Sequence, residues 1–185
     1  MTRILRAADR RRIPWKNGGG EAEDIASFPA DSSWDRMDWR VGRAWIAASG
    51  PFSIFPGIDR TFLVASGDGV TLSPDRMPPA RLDPSSPPFA FPGDVATGCD
   101  LTGGPTVAFN VMSTRGRWSH RVQRRRWAGS LTVPTDAAFA VMLQGSARVG
   151  DASLSEGDAI AVDGAVTLEA DGEAAAALVF LAAIR

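Results

Sequence analysis

The sequence predicts an all-β protein, a sandwich or barrel of short strands. Thirteen prolines and nineteen glycines are scattered over the 185 residues, so long helices have little room. Short apolar runs recur between these turn residues, at 61–65, 106–112, 137–143, 159–162 and 177–183. Evenly spaced short strands separated by turns are typical of all-β sandwiches and barrels. With 44% hydrophobic residues, the chain can bury a core of its own.

The stretch 39–47 is predicted to be a strand that is partly buried on both faces. Read with period two, it carries apolar residues on each side. Arg40 then shares one face with Ala44 and Ile46. A charged side chain on such a face needs a partner, which is either an aspartate of the protein or an anionic ligand.

Arg60 stands at the entrance of the next predicted strand. If Phe62 and Val64 face inward, the same period places Arg60 inward as well. The adjacent Asp59 points to the other face, so a ligand carboxylate is an attractive partner for the guanidinium. An ion pair with another of the sixteen aspartates is the alternative.

Two segments have sequence patterns that fit more than one kind of structure. The stretch 73–92 is rich in proline and serine, and we predict an extended loop or edge excursion. A lobe boundary is the alternative, but the strand pattern resumes after this stretch. The alanine-rich stretch 173–181 contains helix formers and ends in a β-like apolar run, and we predict a strand.

Asn110 interrupts the apolar run 106–112 and shares a face with Ala108 and Met112. A polar amide inside a barrel needs a hydrogen-bond partner, either the backbone or a bound solute. Asn110 is therefore a candidate ligand-binding residue.

The most unusual local sequence is a glycine triplet, 18–20, preceded by the only lysine of the chain, Lys16, and by Asn17. Glycine N–H groups can converge on an anion, and a neighbouring ammonium strengthens such a site. We predict recognition of a carboxylate by Lys16, Asn17, Gly18 and Gly19, with a simple turn as the alternative. The spacing is not that of a phosphate-binding P-loop.

A weak internal repeat runs through the chain. The order of strand, glycine turn, strand and Gly-Asp turn occurs at 60–69 with 91–94, and again at 139–145 with 154–158. This pattern is typical of a double-lobed cupin barrel. We therefore predict two cupin lobes, residues 1–115 and 116–185, that form one compact structural unit.

Charge and hydropathy exclude several classes of partner. Twenty basic and twenty-one acidic residues give a net charge of −1, which argues against binding to nucleic acid or to an anionic membrane. There is no apolar stretch of spanning length and no signal-peptide pattern at the N-terminus, so we expect a cytoplasmic protein. The arginine cluster 121–126 can be read as a nucleic-acid patch, but a solvated strand edge is favoured.

Scarce residues restrict the chemistry further. Cys99 is the only cysteine, which excludes an intrachain disulfide and zinc sites with paired cysteines, and we expect a buried thiol. His120 is the only histidine, which excludes metal centres that need several imidazoles from one chain. These two counts exclude only the metal sites that depend on cysteine pairs or on several histidines. His120 remains a candidate acid or base.

A series of short motifs lies in order over residues 13 to about 115. They are Trp15-Lys16-Asn17-Gly18-Gly19-Gly20, Ile25-Ala26, Asp38-Trp39-Arg40, Gly50-Pro51-Phe52-Ser53, Phe55-Pro56-Gly57, Asp59-Arg60, Phe91, Gly93-Asp94 and Phe109-Asn110-Val111-Met112. In these motifs the sequence resembles the HutD/Ves family of bacterial proteins. The resemblance implies an RmlC-like cupin fold, a bicupin without the histidine-based metal site of enzymatic cupins, with no metal, no cofactor and no catalytic residues. It also implies an association with histidine utilisation and a small anionic ligand resembling formylglutamate or formiminoglutamate.

Carried over residue by residue, the family pattern points to pocket-lining positions. These are Lys16, Asn17, Arg40, Ser53, Arg60 and Asn110. The chain departs from the usual pattern at Ala22, Asp24 and Ala108. The change at Ala108 removes an acidic group near the predicted pocket and bears on ligand identity more than on the fold.

Three hypotheses about function follow. The first is a regulatory protein of histidine utilisation that binds an acyl-glutamate-type ligand or another dicarboxylate in a metal-free pocket. The second is a metal-independent isomerase or hydrolase that uses His120 as acid or base. The third is a module that binds a pathway enzyme or regulator. By analogy with other barrels we also expect a homodimer.

Overall fold

The protein is built almost wholly from β-strands, and a computed structural model describes residues 2–15 and 18–185. Seventeen strands and one 3-10 turn occur in this part of the chain. In chain order they are β1 Arg3–Leu5, the 3-10 turn Ala7–Asp9, β2 Ile13–Pro14, β3 Gly20–Phe28, β4 Trp39–Ile46, β5 Gly50–Pro51, β6 Ile58–Ser66, β7 Val70–Pro74, β8 Ala80–Leu82, β9 Phe89–Pro92, β10 Thr97–Leu101, β11 Thr106–Thr114, β12 Trp118–Val133, β13 Phe139–Gln144, β14 Ala147–Val149, β15 Ala152–Leu154, β16 Ala159–Ala161 and β17 Val166–Ala183. No helix in the described residues is long and apolar enough to pass through a bilayer.

The chain divides into two compact units, which we call the N-terminal unit and the C-terminal unit. The N-terminal unit comprises Arg11–Ser119 with Ala183–Arg185, and the C-terminal unit comprises Met1–Arg10 with His120–Ala182. The division falls close to the boundary between the predicted lobes. It differs in that the first ten residues belong with His120–Ala182, because β1 pairs with β16.

Two antiparallel sheets form the N-terminal unit. One has six strands in the order β2-β3-β4-β11-β6-β9, and the other has four in the order β5-β10-β7-β8. Apolar side chains from both sheets share one core, with Ile46 and Phe62 from the first and Leu72 and Cys99 from the second. Cys99 is thus a buried thiol, as expected from the sequence.

Register in the six-stranded sheet brings the predicted polar positions into neighbouring rows. Met112 on β11 pairs with Arg40 on β4 and with Arg60 on β6. In the next row, Asn110 pairs with Gly42 and Phe62. Because side chains alternate across a strand, both rows project from the same face of the sheet.

The C-terminal unit is built on a seven-stranded sheet whose central path is β1-β16-β13-β17-β14-β15, with β12 paired to β17. The alanine-rich stretch forms part of β17, so the prediction of a strand is confirmed. Small alanines at 174–177 are buried there, and two of them, Ala174 and Ala176, pack with Leu178 and Met142. The arginine cluster lies on β12, where Arg121 stacks on Phe180 with 3.6 Å from Cζ to the ring centroid.

The proline- and serine-rich stretch does not separate the units. It contributes β8 at one edge of the four-stranded sheet and β9 at one edge of the six-stranded sheet. The edge excursion predicted from the sequence is therefore confirmed. Asp83 fixes the turn between these two strands, accepting hydrogen bonds from the backbone N–H groups of Ser85 and Ser86.

Candidate functional site

A cavity of about 520 Å³ lies within the N-terminal unit. Its wall combines aromatic and aliphatic side chains with a few charged groups. The lining residues are Ile13, Pro14, Trp15, Ala22, Glu23, Asp24, Trp34, Arg40, Gly42, Arg43, Ala44, Ile46, Pro51, Phe52, Ser53, Phe55, Arg60, Phe62, Asn110 and Met112. A concave, mostly apolar wall with a few placed polar groups is the usual form of a small-molecule site.

Arg60 is a buried cation in the wall of this cavity. Only 7% of the residue is exposed, and its guanidinium lies near three phenylalanines. The Cζ atom is 5.1 Å from the ring centroid of Phe52, 5.5 Å from Phe55 and 4.9 Å from Phe91. Within residues 2–15 and 18–185, the guanidinium has neither a hydrogen bond nor an ion pair, and Nε is fully enclosed.

Burial lowers the pKa of Arg60 to about 10, and the nearby Cys99 opposes this shift. The side chain is still a cation at neutral pH. Gly93 makes room for it, since a Cβ atom at that position would lie 3.2 Å from Cδ of Arg60. A buried cation that is surrounded by rings and has no counter-ion among the described residues is suited to receive an anion from outside the chain.

Arg40 is a second buried cation, but it has partners. Its Nε atom lies 3.5 Å from Oδ1 of Asp24, and its Nη2 donates a hydrogen bond to the Ser32 carbonyl. Its Cζ atom lies 3.8 Å from the ring centroid of Trp34, a cation–π distance. Burial lowers the pKa of Arg40, and Asp24 opposes that shift. Burial likewise raises the pKa of Asp24, and Arg40 opposes it.

A third arginine, Arg43, is neutralised inside the wall. Its Nε donates to Oε1 of Glu23 at 2.9 Å, and the two side chains are 8% and 3% exposed. The residues pair directly across β3 and β4. This ion pair therefore adds no net charge to the cavity.

Asn110 and Ser53 complete the predicted polar lining. The Oδ1 atom of Asn110 is enclosed and accepts no hydrogen bond from the described residues. Opposite it, Gly42 carries no side chain and leaves the amide open to the cavity. Ser53 is exposed at the cavity wall. Both residues can serve as hydrogen-bond partners for a bound solute.

Of the glycine triplet, Gly18 and Gly19 lie between β2 and β3, and Gly20 is the first residue of β3. Gly18 has a φ of 71°, and its N–H donates to the Trp15 carbonyl at 3.1 Å. The Gly19 carbonyl accepts from the Ala47 N–H at 3.0 Å. Gly18 and Gly19 are thus engaged in the turn and do not belong to the cavity lining. Lys16 and Asn17 lie outside the described residues.

The donor set does not fit a divalent metal ion. No group of three or more His, Cys, Asp or Glu side chains in the described residues is placed to hold one. The cavity carboxylates, Glu23 and Asp24, are each paired with an arginine, so they do not form the cluster of free oxygen ligands that a divalent ion prefers. His120, on β12, is not among the lining residues, so the cavity offers no imidazole for ligation or acid–base chemistry.

Sequence reasoning missed Asp24, Trp34 and the Glu23–Arg43 pair as members of this wall. Asp24 lies at a shift of register between β3 and β4, which breaks the simple alternation. Trp34 comes from the irregular segment after β3 and has no periodic signal. The charge pairing of Glu23 with Arg43 becomes visible only when the register of β3 against β4 is known.

Two curated relatives match part of the chain. An uncharacterised 21.2 kDa protein in the hutC 3' region of Pseudomonas putida is 40% identical over 120 residues, 65% of this chain and 62% of that protein. The protein Ves of Citrobacter koseri is 33% identical over 119 residues, 62% of this chain and 61% of that protein. The match thus spans somewhat less than two thirds of the length of each of these relatives.

Solved structures match the whole chain. A conserved protein of unknown function, PA5104, from Pseudomonas aeruginosa PAO1 is 31% identical with a TM-score of 0.86, covering 98% of both chains. HutD from Pseudomonas fluorescens SBW25 is 29% identical with a TM-score of 0.82, covering 100% of both chains. YhhW from Escherichia coli, at 10% identity with a TM-score of 0.69 over 100% of this chain and 99% of that chain, shares the fold alone.

These similarities confirm the all-β cupin fold predicted from the sequence. A family model described as HutD matches residues 7–180, nearly the whole chain. The match includes β3, β4, β6 and β11, the strands that carry most of the charged cavity residues. The chain therefore belongs to the HutD family.

Proposed function

We propose that this protein binds a small carboxylate ligand of the acyl-glutamate type, or another dicarboxylate, in the cavity around Arg60. The observation that carries the proposal is the buried guanidinium of Arg60, which has no anionic partner within the described residues. An uncompensated charge in an apolar enclosure destabilises the fold, so its presence at this position points to a functional role. A ligand carboxylate gripped by two guanidinium hydrogen bonds would supply the missing partner.

The position of Arg40 supports a ligand with polar groups at both ends. Arg40 and Arg60 flank Met112 on strands two apart, so their Cα atoms are about 10 Å apart. The amide of Asn110, one row away, can hydrogen-bond the middle of such a ligand. Formylglutamate and formiminoglutamate are short molecules with two carboxylates and a polar acyl or amidine group, and they meet this description.

We further propose that the protein acts in histidine utilisation as a metal-free regulator that responds to the level of an intermediate. The family name HutD and the position of the Pseudomonas putida relative in the hutC 3' region support the pathway. The cationic wall, without a metal donor set in the described residues, supports binding of an anion without a metal. Bicupin organisation, a cytoplasmic location and a homodimer stay predictions.

The experiment that tests the proposed function is thermal unfolding of the purified protein against a ligand panel. The panel contains formylglutamate, formiminoglutamate, glutamate, histidine, urocanate and unrelated dicarboxylates. A ligand at one hundred times its Kd adds about 2.7 kcal/mol to the free energy of unfolding, which a melting curve resolves. We expect a selective rise of Tm with the acyl-glutamate compounds.

Two arginine variants, one inside the cavity and one outside it, test whether the rise in Tm depends on Arg60. Arg60→Met should abolish the ligand-induced rise in Tm, because it removes the buried cation. Arg81→Met removes an exposed arginine on β8 that does not line the cavity, and should retain the rise. A rise that persists in Arg60→Met, or no rise with any carboxylate, would rule the proposal out.

The regulatory role needs a cellular measurement. A strain that carries Arg60→Met in place of the native gene should show altered levels of the histidine-degrading enzymes during growth on histidine. A strain with Arg81→Met should match the parent. If the Arg60→Met strain also matches the parent, ligand binding does not control the pathway. Pull-down with and without the ligand then tests the hypothesis of a protein-interaction module.

A further inference from the structure

The charges of the cavity wall do not cancel, and their arrangement constrains the ligand. Three arginines and two acidic residues line the cavity: Arg40, Arg43, Arg60, Glu23 and Asp24. Arg43 and Glu23 form an ion pair at 2.9 Å, and both side chains are buried. The Arg40–Asp24 pair is longer, at 3.5 Å, but its two charges also cancel. Arg60 is therefore the one uncompensated charge in the described wall. A ligand of net charge −1 therefore matches these residues better than one of −2.

Asp24 keeps acceptor capacity that Glu23 does not offer. Its side chain is 46% exposed, whereas that of Glu23 is 3% exposed. Its one polar contact in the described residues is the ion pair with Arg40, which is longer than a hydrogen bond. An ionised carboxylate has about four acceptor positions and no donor. Most of these positions are open to a ligand.

The backbone places this carboxylate at the cavity. Asp24 lies at the register shift of β3, and its pairing partner on β4 is Gly42. A side chain at position 42 would begin 3.6 Å from Oδ1 of Asp24 and 2.6 Å from the Glu23 carbonyl oxygen, so only glycine leaves this space free. Arg40 is held beside Asp24 by its hydrogen bond to Ser32 and its contact with Trp34. The carboxylate thus faces open volume beside a fixed cation.

We propose that Asp24 determines specificity by accepting a hydrogen bond from a positively charged N–H group of the ligand. This inference rests on the proposed function, since it assumes that the same ligand places a carboxylate on Arg60. The cavity then selects a carboxylate ligand that also carries an amidinium, guanidinium or ammonium group. A ligand with a neutral carbonyl oxygen in that place would bring this hydrogen-bond acceptor against the Asp24 carboxylate, which is also an acceptor, and such a contact is unfavourable.

Two matched compounds test the inference by isothermal titration calorimetry at neutral pH. Formiminoglutamate carries a protonated amidine, and formylglutamate carries a carbonyl oxygen in the same place. We expect the native protein to bind formiminoglutamate at least about tenfold more tightly, the size of one charge-assisted hydrogen bond. Asp24→Asn should remove this preference, by weakening the amidine compound and strengthening the formyl compound, for which Arg40 becomes available.

Further variants separate a binding role from a structural one. Asp24→Glu keeps the carboxylate and should keep the preference for the amidine compound. Asp100→Asn removes an exposed carboxylate on β10 outside the cavity and should leave both affinities unchanged. If both compounds bind equally to the native protein, or Asp24→Asn weakens both alike, this inference is overturned and the proposed function stands. If neither compound binds, this inference is overturned, and the proposed function is overturned as well if no other carboxylate of the panel raises Tm.

Discussion

Arg40 and Arg60 lie in one row of the six-stranded sheet, each paired in register with Met112 on the strand between them. The two side chains have different surroundings in spite of this common row. Arg40 has an aspartate, a carbonyl group and a tryptophan as partners. Arg60 contacts phenylalanine rings and has no hydrogen bond or ion pair with any residue that the structure describes. The difference leads to the first prediction.

Arg60→Met should raise the free energy of unfolding of the ligand-free protein, by about 1 kcal/mol. The substitution loses the ring contacts of the guanidinium, but it removes the larger cost of burying an unpaired cation. Urea unfolding measures the change. Arg81→Met, an exposed control, should change the value by less than about 0.5 kcal/mol. A loss of stability in Arg60→Met would show that the cation is structural.

Breaking the buried ion pair of Glu23 and Arg43 should lower the free energy of unfolding, whereas Arg60→Met should raise it. Glu23→Ala leaves the Arg43 guanidinium buried without its carboxylate, and we expect a loss of about 3 kcal/mol. Arg12 and Glu21 form a comparable but exposed pair, at 3.8 Å, with both side chains nearly half exposed. Glu21→Ala should therefore cost less than about 1 kcal/mol. Chemical denaturation of both variants makes the comparison, and equal losses would contradict it.

The pKa of Asp158 allows a prediction of how the stability of the C-terminal unit changes at low pH. Burial tends to raise its pKa, but the N–H groups of Ala7 and Ser155 and the guanidinium of Arg6 outweigh burial, and the pKa lies below its ordinary value. A depressed carboxyl pKa gives stability that is complete above the unfolded value of about 3.9 and is lost as the pH falls through the folded value.

The matching experiment is a pH series of unfolding curves on Asp158→Asn. The variant should be less stable than the native protein at pH 7, by about 1–3 kcal/mol, because it loses charge-assisted hydrogen bonds. The difference should shrink below about pH 4. Asp151→Asn, at an exposed turn, serves as control and should change the free energy of unfolding at pH 7 by less than about 0.5 kcal/mol. A constant difference between Asp158→Asn and the native protein at every pH would contradict the assignment.

Gly42→Ala probes the space beside Asp24. The added Cβ would lie 2.6 Å from the Glu23 carbonyl oxygen, so β3 must shift, and we expect a loss of about 1–3 kcal/mol. Gly50→Ala, with no atom within 4 Å of the added carbon, should change stability by less than about 1 kcal/mol. Thermal unfolding measures both. A neutral Gly42→Ala would show that β3 and β4 can separate locally.

Period-two alternation was sufficient to place Arg40, Arg60 and Asn110 on one face, because all three lie on regular stretches of paired strand. It was insufficient for Asp24, since a register shift changes which residues face the cavity. Trp34 reaches Arg40 from a non-repetitive segment. The glycine triplet shows a further limit: its composition suggested an anion site, but the N–H of Gly18 is used within the turn.

The pairing of β1 with β16 has a consequence for the order in which the molecule can form. Arg3 pairs with Ala161 and Leu5 with Ala159, so the first strand has no sheet partner until those late residues have been synthesised. The strands that carry the cavity residues, in contrast, lie within one continuous stretch, Arg11–Ser119, although the N-terminal unit also includes Ala183–Arg185. On the ribosome, all the strands around the cavity are therefore synthesised before the partner of the amino-terminal strand.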